Sequence, residues 1–344
     1  MHLLRRQHYP NASVGTRATL TYNHHLSVRA LRLNQPVTGQ LPISEHLGEL
    51  LLDHHSISCP PPDPNPRKPT LKAPPRTCDT HAHVFGPQSR YPYSDKRGYT
   101  PPDAPYAAYK HLHMTLGVER GVLTQPSVYG VDNTAMLDAV ARDPKDLRAV
   151  AAVDAGVTDE ELSRLNAAGT RGIRVNLVDP GGMPFDTFDD VEAFAARIEP
   201  MAWHIEYLVH VHEFAELDAL ARMPVDAVVG HFGYMTVSRG VNDQGFQAFL
   251  RLFEKGRVWV KMTAPYRITT RDDMPYDDVA PIAEALITAR PDRLLWGSDW
   301  PHPINKKPMA NDGDMFDLVV GWLPEGDIRR QVMVENPKQL YGFE

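Results

Sequence analysis

Apolar and polar positions follow two alternating patterns from about residue 76 onward. Short apolar and β-branched runs, typical of buried strands, are separated by longer stretches whose apolar residues recur every three or four positions, as in amphipathic helices. The strand candidates are "RTCDTHAHVF", "ERGVLTQPS", "LRAVAAVDA", "TRGIRVNLV", "IEYLVHVHEF", "VDAVVGHFG", "RVWVKMTAP" and "RLLWGSDWP". The helix-like segments include "NTAMLDAVARD", "TDEELSRLNAAG", "DDVEAFAARIEPMAW", "AELDALARM", "NDQGFQAFLRLFEKG" and "VAPIAEALITARP". Strand followed by helix, repeated in this way, predicts an α/β fold of the (β/α)8 TIM-barrel type.

An open, doubly wound α/β sheet is the alternative fold. Such a sheet often binds a dinucleotide through a Gly-x-Gly-x-x-Gly turn after its first strand, and this chain has no such turn there. The sequence therefore favours the barrel.

Residues 1–72 differ in composition from the rest of the chain. They are rich in Arg, His, Pro and Asn and lead into "CPPPDPNPRKPTLKAPPR", where the prolines exclude both a helix and a central strand. Only residues 43–55 have the apolar spacing of a helix. We therefore predict a disordered Pro/His-rich extension over residues 1–72 and a barrel domain over residues 73–344.

Charge and cysteine content narrow the function classes. The formal net charge of -7 argues against a general binder of nucleic acid or of membrane surfaces. The chain has 2 cysteines, too few for a disulfide framework, which suits a reducing cytoplasm. It lacks an apolar run of about 20 residues for a membrane span and the apolar core of a secretory signal. We expect a cytoplasmic protein with a small-molecule partner, either a monomer or a small homo-oligomer.

Polar side chains stand where several strand candidates end. Active sites of (β/α)8 barrels lie at the carboxyl ends of the strands, so these residues are candidates for chemistry. His81 and His83 are two apart and share one face of a strand, which lets both bind a metal ion or a developing charge. The remaining candidates on or just after strands are Arg174, His210, His212, His231, Arg267 and Asp299.

Several motifs together resemble the amidohydrolase superfamily, in particular the branch of 2-pyrone-4,6-dicarboxylate lactonase and 4-sulfomuconolactone hydrolase. They are "CDTHAHVFGP", "YTPPDAPYAAYKHLHMTLGVERGVLTQPSVYGVDNTAMLDAV", "RGIRVNLV", "VVGHFG", "LLWGSDWPHP" and "ENPKQLYG". The resemblance covers about residues 73–344 and implies a lactone-opening carboxylic ester hydrolase of aromatic-acid breakdown. It also implies a catalytic constellation of His81, His83, His231 and Asp299, with Arg174 and Arg267 as substrate-anion contacts.

Two departures from the pyrone lactonases bear on the substrate. As the resemblance implies, those enzymes carry a second arginine a few residues after the arginine of the fourth strand, where this chain has Pro180, and a tyrosine on the fifth strand about where it has Leu208. Loss of an anion clamp and a hydroxyl changes which carboxylate the site can hold. A lactone of the 4-sulfomuconolactone type is thus the first expectation. The alternatives are 2-pyrone-4,6-dicarboxylate, a metal-dependent decarboxylase of the same superfamily, and a barrel that only binds a carboxylate.

Metal dependence is a separate expectation. The resemblance leaves both possibilities open, because the pyrone lactonases are a metal-free branch of a largely metal-dependent superfamily and lack its usual histidine on the fifth strand. This chain has candidates there, so we expect one divalent ion, Zn²⁺, held by His81, His83, His210 and Asp299, with His212 as the alternative to His210.

The expected reaction assigns a role to each residue. Asp299 takes a proton from water as general base. His231 orients the carbonyl or protonates the departing oxygen. Ser127 and Tyr129 add hydrogen bonds to the substrate.

Overall fold

The predicted strands form one parallel sheet in the computed structural model, which describes residues 57–178, 185 and 187–344. Each strand pairs with the next along the chain, as in a (β/α)8 barrel. The strands are β1 (Cys78–Ala82), β2 (Arg120–Thr124), β3 (Leu147–Ala151), β4 (Thr170–Asn176), β5 (His204–Leu208), β6 (Ala227–Val229), β7 (Val258–Met262) and β8 (Leu294–Trp296).

The first and last strands meet just beyond the end of β8. Ala82 and Trp300 form a parallel bridge. The backbone N–H of His83 donates to the Trp300 carbonyl at 2.7 Å, and that of Asp299 donates to the His81 carbonyl at 2.8 Å. This contact closes the barrel and places Asp299, which follows β8, beside His81 and His83 of the first strand motif. The predicted TIM-type fold is confirmed.

A helix follows each strand and packs on the outside of the sheet. The helices are α1 (Tyr106–Leu116), α2 (Thr134–Val140), α3 (Asp159–Ala167), α4 (Phe188–Ile198), α5 (Leu217–Arg222), α6 (Gln244–Lys255), α7 (Ala280–Ala289) and α8 (Asp312–Trp322), followed by the terminal α9 (Asp327–Arg330) and α10 (Asn336–Tyr341). Helices α2 to α7 lie within the segments predicted from apolar periodicity, except that α4 begins one residue earlier, at Phe188. Among the described residues, no helix has both the length and the apolar character that a membrane crossing requires.

The barrel interior has an apolar layer and a charged layer. Trp259 and Lys261 lie two apart on β7 and share a face, and Lys261 donates a hydrogen bond to Glu206 on β5, a strand that is not adjacent to β7. That face is therefore the interior. The apolar layer, nearer the amino ends of the strands, comprises Cys78, Val122, Val150, Val228, Trp259, Leu295, Tyr341 and Phe343. The charged layer follows it toward the carboxyl ends.

Part of the predicted extension lies against the barrel. Ile57–Ser58 pairs with Tyr99–Thr100 as a two-residue parallel ladder, and the N–H groups of Thr70 and Leu71 donate to the Asp317 carboxylate of α8 at 2.7 and 2.8 Å. Residues 57–72 are thus ordered, unlike the disordered linker expected from their prolines. Residues 1–56 lie outside the described residues, and the domain boundary at residue 73 stays a prediction.

Candidate active site

Asp299 is placed by the turn that follows β8. Its φ of 59° is left-handed, which costs a non-glycine residue on the order of 1–3 kcal/mol and is found mainly at functional sites. The preceding residue holds the turn: the N–H and hydroxyl of Ser298 both donate to the buried Asp79 carboxylate, at 2.8 and 2.6 Å. Asp79 lies on β1, so the carboxylate of Asp299 is fixed beside the first strand.

The two oxygens of Asp299 have different surroundings. Oδ2 accepts hydrogen bonds from the Tyr266 hydroxyl and from Nε of Arg267, the latter at 3.1 Å. Oδ1 faces Nε2 of His81 at 3.4 Å, of His83 at 3.7 Å and of His231 at 4.0 Å. Burial alone would raise the pKa of Asp299, but Arg267 and the histidines outweigh burial and hold this pKa well below its usual range. The group is therefore a buried carboxylate with one oxygen available.

His83 and His231 are each oriented by a hydrogen bond at Nδ1. In His83, Nδ1 donates to the Thr124 carbonyl at 2.7 Å, so Nε2 is the ring nitrogen that faces Asp299. In His231, Nδ1 lies 2.7 Å from the hydroxyl of Thr263. Burial lowers the pKa of His231 well below its usual value. His231 is thus neutral, and both rings are fixed in direction.

His81 completes the cluster. Burial lowers its pKa to about 4. Nε2 of His81 and Oδ1 of Asp299 are both buried, and neither has a hydrogen-bond partner among the described residues. The ligand atoms of His81, His83 and Asp299 lie within 4.8 Å of one another. Two nitrogens and a carboxylate oxygen form a donor set that Zn²⁺ accepts, and unsatisfied buried acceptors are costly without a cation, so these three residues fit a divalent metal.

His210 does not join this cluster. Strand β5 ends at Leu208, so the inward alternation does not extend to residue 210. Its side chain is exposed, and Nδ1 lies 3.1 Å from the Tyr234 carbonyl. His212, the alternative, is buried, but its Nε2 lies 3.4 Å from Glu213 and 3.3 Å from the Thr236 hydroxyl. The expected ligand from the fifth strand is absent from the cluster that the described residues form.

A buried ion pair beside His81 was not predicted. Glu206 of β5 and Lys261 of β7 are both fully buried and bonded to each other. Oε1 of Glu206 lies 3.0 Å from Nδ1 of His81, and Nζ of Lys261 lies 3.2 Å from the same nitrogen. Burial would raise the pKa of Glu206, but Lys261 and His81 outweigh it and the pKa falls well below its usual value. The available signal was a charged residue inside each of two apolar runs.

Both predicted anion contacts lie near the cluster. Arg174 of β4 is the register neighbour of Glu206. Its Nη1 donates to the Gln125 carbonyl at 3.0 Å, and its buried Nε has no hydrogen-bond partner within the described chain. Arg267 holds Asp299 through Nε and donates from Nη2 to the Pro303 carbonyl at 2.8 Å. Arg267 thus has a contact with the candidate base as well as its predicted contact with substrate.

Ser127 and Tyr129 form a short 3₁₀ turn after β2. The Tyr129 hydroxyl accepts a hydrogen bond from the N–H of Gly86 at 2.9 Å, and its ring stacks on Phe85. Ser127 is half-buried. The structure therefore places Tyr129 against the loop that follows β1, and the substrate contacts of both residues stay predictions.

A second acid and histidine lie behind Asp299. The Tyr266 hydroxyl lies 3.4 Å from Nδ1 of His302, and Nε2 of His302 lies 2.9 Å from the Asp312 carboxylate at the start of α8. His302 has a φ of 62°, another left-handed residue in this turn. The residues were missed because nothing in the linear pattern shows that the turn after β8 folds back toward Tyr266.

Comparisons with known proteins agree with this geometry. The amidohydrolase family model matches residues 78–343. A 4-sulfomuconolactone hydrolase of Hydrogenophaga intermedia is 36% identical over 78% of this chain and 89% of its own length. A 2-pyrone-4,6-dicarboxylate hydrolase of Comamonas testosteroni is 36% identical over 80% of this chain and 93% of its own.

A solved structure is also similar. It is a probable 2-pyrone-4,6-dicarboxylic acid hydrolase of Acinetobacter baumannii with citric acid bound, 28% identical, with a TM-score of 0.67 over 78% of this chain and 100% of that chain. The resemblance noted in the sequence is confirmed, and the chain belongs to the amidohydrolase family.

Proposed function

We propose that this protein is a hydrolase that opens the ring of a small anionic lactone. The observation that carries the proposal is the available Oδ1 of Asp299, an ionised buried oxygen that faces His81, His83 and His231 at the barrel mouth. Two relatives that each cover most of this chain are named hydrolases of lactones. A positioned carboxylate can act as the general base that activates water for ester hydrolysis, and neighbouring polar groups can stabilise the developing charge.

Asp299 and His231 have separate roles in the proposed hydrolysis. Asp299 takes a proton from water through Oδ1, while Tyr266 and Arg267 hold Oδ2 and so fix the direction of the base. The water oxygen bonds to the lactone carbonyl carbon, the ring C–O bond breaks, and the proton is passed to the departing oxygen. His231, held by Thr263, orients the carbonyl or relays that proton.

We propose His81, His83 and Asp299 as the ligands of one divalent metal, Zn²⁺, with reaction at the unaided cluster as the alternative. A bound ion supplies Lewis-acid polarisation of the carbonyl and stabilises its developing negative charge. His210, exposed at the Tyr234 carbonyl, is no longer part of the proposed ligand set.

The substrate is proposed to be of the 4-sulfomuconolactone type, with 2-pyrone-4,6-dicarboxylate as the alternative. Arg174 lies beside the cluster with a buried unpaired Nε, and a guanidinium binds a carboxylate or sulfonate through paired N–H groups. Leu208, where pyrone lactonases are expected to carry a tyrosine, is fully buried and apolar, which supports the first choice. Pro180, the other departure, lies outside the described residues. We also propose a cytoplasmic location, in keeping with the free Cys59 and Cys78.

The test is hydrolysis of a panel of unsaturated lactones, followed by loss of the ring chromophore and release of acid, before and after treatment with a chelator. The proposal expects ring opening of a sulfonated or carboxylated lactone, with loss of activity after chelation and recovery with Zn²⁺. Ring opening that is unaffected by chelation supports the metal-free alternative. Release of carbon dioxide without consumption of a lactone contradicts the proposal and indicates a decarboxylase.

A further inference from the structure

Nδ1 of His81 lies between two groups of opposite hydrogen-bonding character. Oε1 of Glu206 is 3.0 Å away and can only accept a hydrogen bond, whereas Nζ of Lys261 is 3.2 Å away and can only donate one. All three side chains are fully buried. Nδ1 either donates to Glu206 or accepts from Lys261, so the choice of partner decides which ring nitrogen carries the hydrogen.

The position of the ring hydrogen decides whether Nε2 of His81 accepts or donates a hydrogen bond. Nε2 of His81 lies 3.4 Å from Oδ1 of Asp299. With hydrogen on Nδ1, a lone pair on Nε2 faces the carboxylate oxygen, and two acceptors share the space only with a cation or a hydrogen-bond donor such as water between them. With hydrogen on Nε2, the ring donates to Asp299 and occupies the same oxygen. Nε2 of His83 faces the same oxygen at 3.7 Å, because its Nδ1 donates to Thr124.

The contacts of Glu206 favour hydrogen on Nδ1. Lys261 is bonded to Oε2, whereas Oε1 is a buried charged oxygen that has no hydrogen-bond partner among the described residues and lies 3.0 Å from Nδ1 of His81. A buried ionised oxygen requires a donor. Nδ1–H of His81 can supply it at 3.0 Å, but the hydrogen bond that the structure shows at this nitrogen comes from Lys261 at 3.2 Å, so the proposed arrangement requires the ring to turn toward Glu206.

We propose that Glu206 is a positioning residue that holds His81 with its hydrogen on Nδ1, and that Lys261 keeps the carboxylate in place for this task. The pair thereby prepares His81, His83 and Asp299 for a divalent cation. A carboxylate that accepts from the distal nitrogen of a histidine ligand orients the ring and raises its basicity. The inference deepens the proposed function, since its metal part rests on that proposal.

The direct test reads the ring form of His81 in the native protein. Long-range nitrogen–proton spectra of the native full-length protein, labelled with ¹⁵N-histidine and freed of metal by a chelator, distinguish the two ring forms, and His81→Asn identifies the signal of His81. The proposal expects hydrogen on Nδ1. Hydrogen on Nε2 in the native protein would overturn it, whatever the protein does with lactones.

Variants extend the test. Glu206→Gln leaves Lys261 without its carboxylate, so Lys261 donates to Nδ1, the hydrogen moves to Nε2, and Zn²⁺ affinity in competition with a chromophoric chelator falls about 10- to 100-fold. Lys261→Arg keeps both charges and is expected to retain the native ring form. Glu213→Gln is the matched control, because Glu213 contacts His212 of the other histidine pair, and it leaves His81 and Zn²⁺ affinity unchanged.

The outcomes separate the two proposals. An unchanged ring form and Zn²⁺ affinity in Glu206→Gln would refute the positioning role even if the native protein opens lactones. A native protein that shows hydrogen on Nδ1 and binds Zn²⁺ but opens no lactone would leave the positioning role intact and contradict the proposed function. A native protein that binds no Zn²⁺ contradicts the claim that the pair prepares a cation site.

Discussion

Two His-x-His pairs in this chain have the same spacing and different surroundings. The rings of His81 and His83 lie 5.0 Å apart and edge to face, and those of His210 and His212 lie 5.9 Å apart in the same arrangement. The first pair is buried at the end of β1 against Asp299. The second begins two residues after β5 ends, with His210 exposed. The position of the strand end, not the spacing, decides which pair converges on the barrel mouth.

The two pairs also differ in the acids they meet. His81 contacts two fully buried carboxylates, Glu206 and Asp299. His212 contacts Glu213, whose side chain is 60% exposed. Charges are screened little in a buried site and strongly at the surface. We therefore expect the first pair to be the reactive cluster, and the second, with His210 exposed and His212 buried beside an exposed acid, to lie outside it.

Asp299→Asn should produce the largest effect. The amide cannot take a proton from water, so kcat is expected to fall by about 1,000-fold or more. Lactone hydrolysis under saturating substrate measures this. Circular dichroism must show a folded barrel, because Arg267 loses its charged partner. A folded variant within about tenfold of the native rate would exclude Asp299 as the base.

Arg174→Met should act mainly on binding. Removal of the guanidinium is expected to raise KM for an anionic lactone about 10- to 100-fold, with a smaller change in kcat. An uncharged lactone should show no such penalty. Arg239→Met is a matched control, because Arg239 lies near the second pair and bonds Glu213 and Asp243. Equal penalties for charged and uncharged lactones would contradict an anion contact.

The His302–Asp312 contact offers a test of whether a buried carboxylate raises the pKa of the histidine beside it. Burial lowers the pKa of His302, but Asp312 outweighs burial and the pKa is raised overall. A raised folded-state pKa means that the protonated ring stabilises the fold below the unfolded pKa, and this stabilisation is lost as pH rises through the folded pKa.

Asp312→Asn should therefore lower the free energy of unfolding by about 2 kcal/mol near pH 6 and by less near pH 9. Urea unfolding at the two pH values measures the difference. A loss that is constant with pH, or larger at high pH, is the opposite of the expected sign.

His210→Ala should have the smallest effect. The ring contacts the Tyr234 carbonyl outside the cluster, so kcat/KM and Zn²⁺ content are expected to stay within about twofold of native. A larger loss of Zn²⁺ would mean that residue 210 reaches the metal after all, and the contrast between the pairs would fail.

The fold was predictable because apolar runs and amphipathic stretches alternate over the whole barrel. Residues such as His81 and Asp299 were identifiable because they directly follow apolar runs. His210 was misplaced because the run "IEYLVHVHEF" continues past Leu208, where β5 ends. Glu206 and Lys261 were missed because each looked like an ordinary charge within a strand, and only the contact across the barrel makes them a pair.

The contacts at the N-terminal boundary of the barrel were also not predictable from the sequence. Prolines correctly exclude regular structure over residues 59–72, but composition does not show that the backbone of Thr70 and Leu71 bonds to Asp317 of α8. Such contacts join positions far apart in the sequence, and no local pattern encodes them.

The most direct test of the account compares His83→Asn with His212→Asn, one substitution in each pair. Lactone kcat/KM is measured for both folded variants beside the native protein. We predict a loss of at least about 100-fold for His83→Asn and a change within about twofold for His212→Asn. Equal losses in the two variants, or a larger loss at His212, would contradict the claim that the buried pair beside Asp299 is the reactive one.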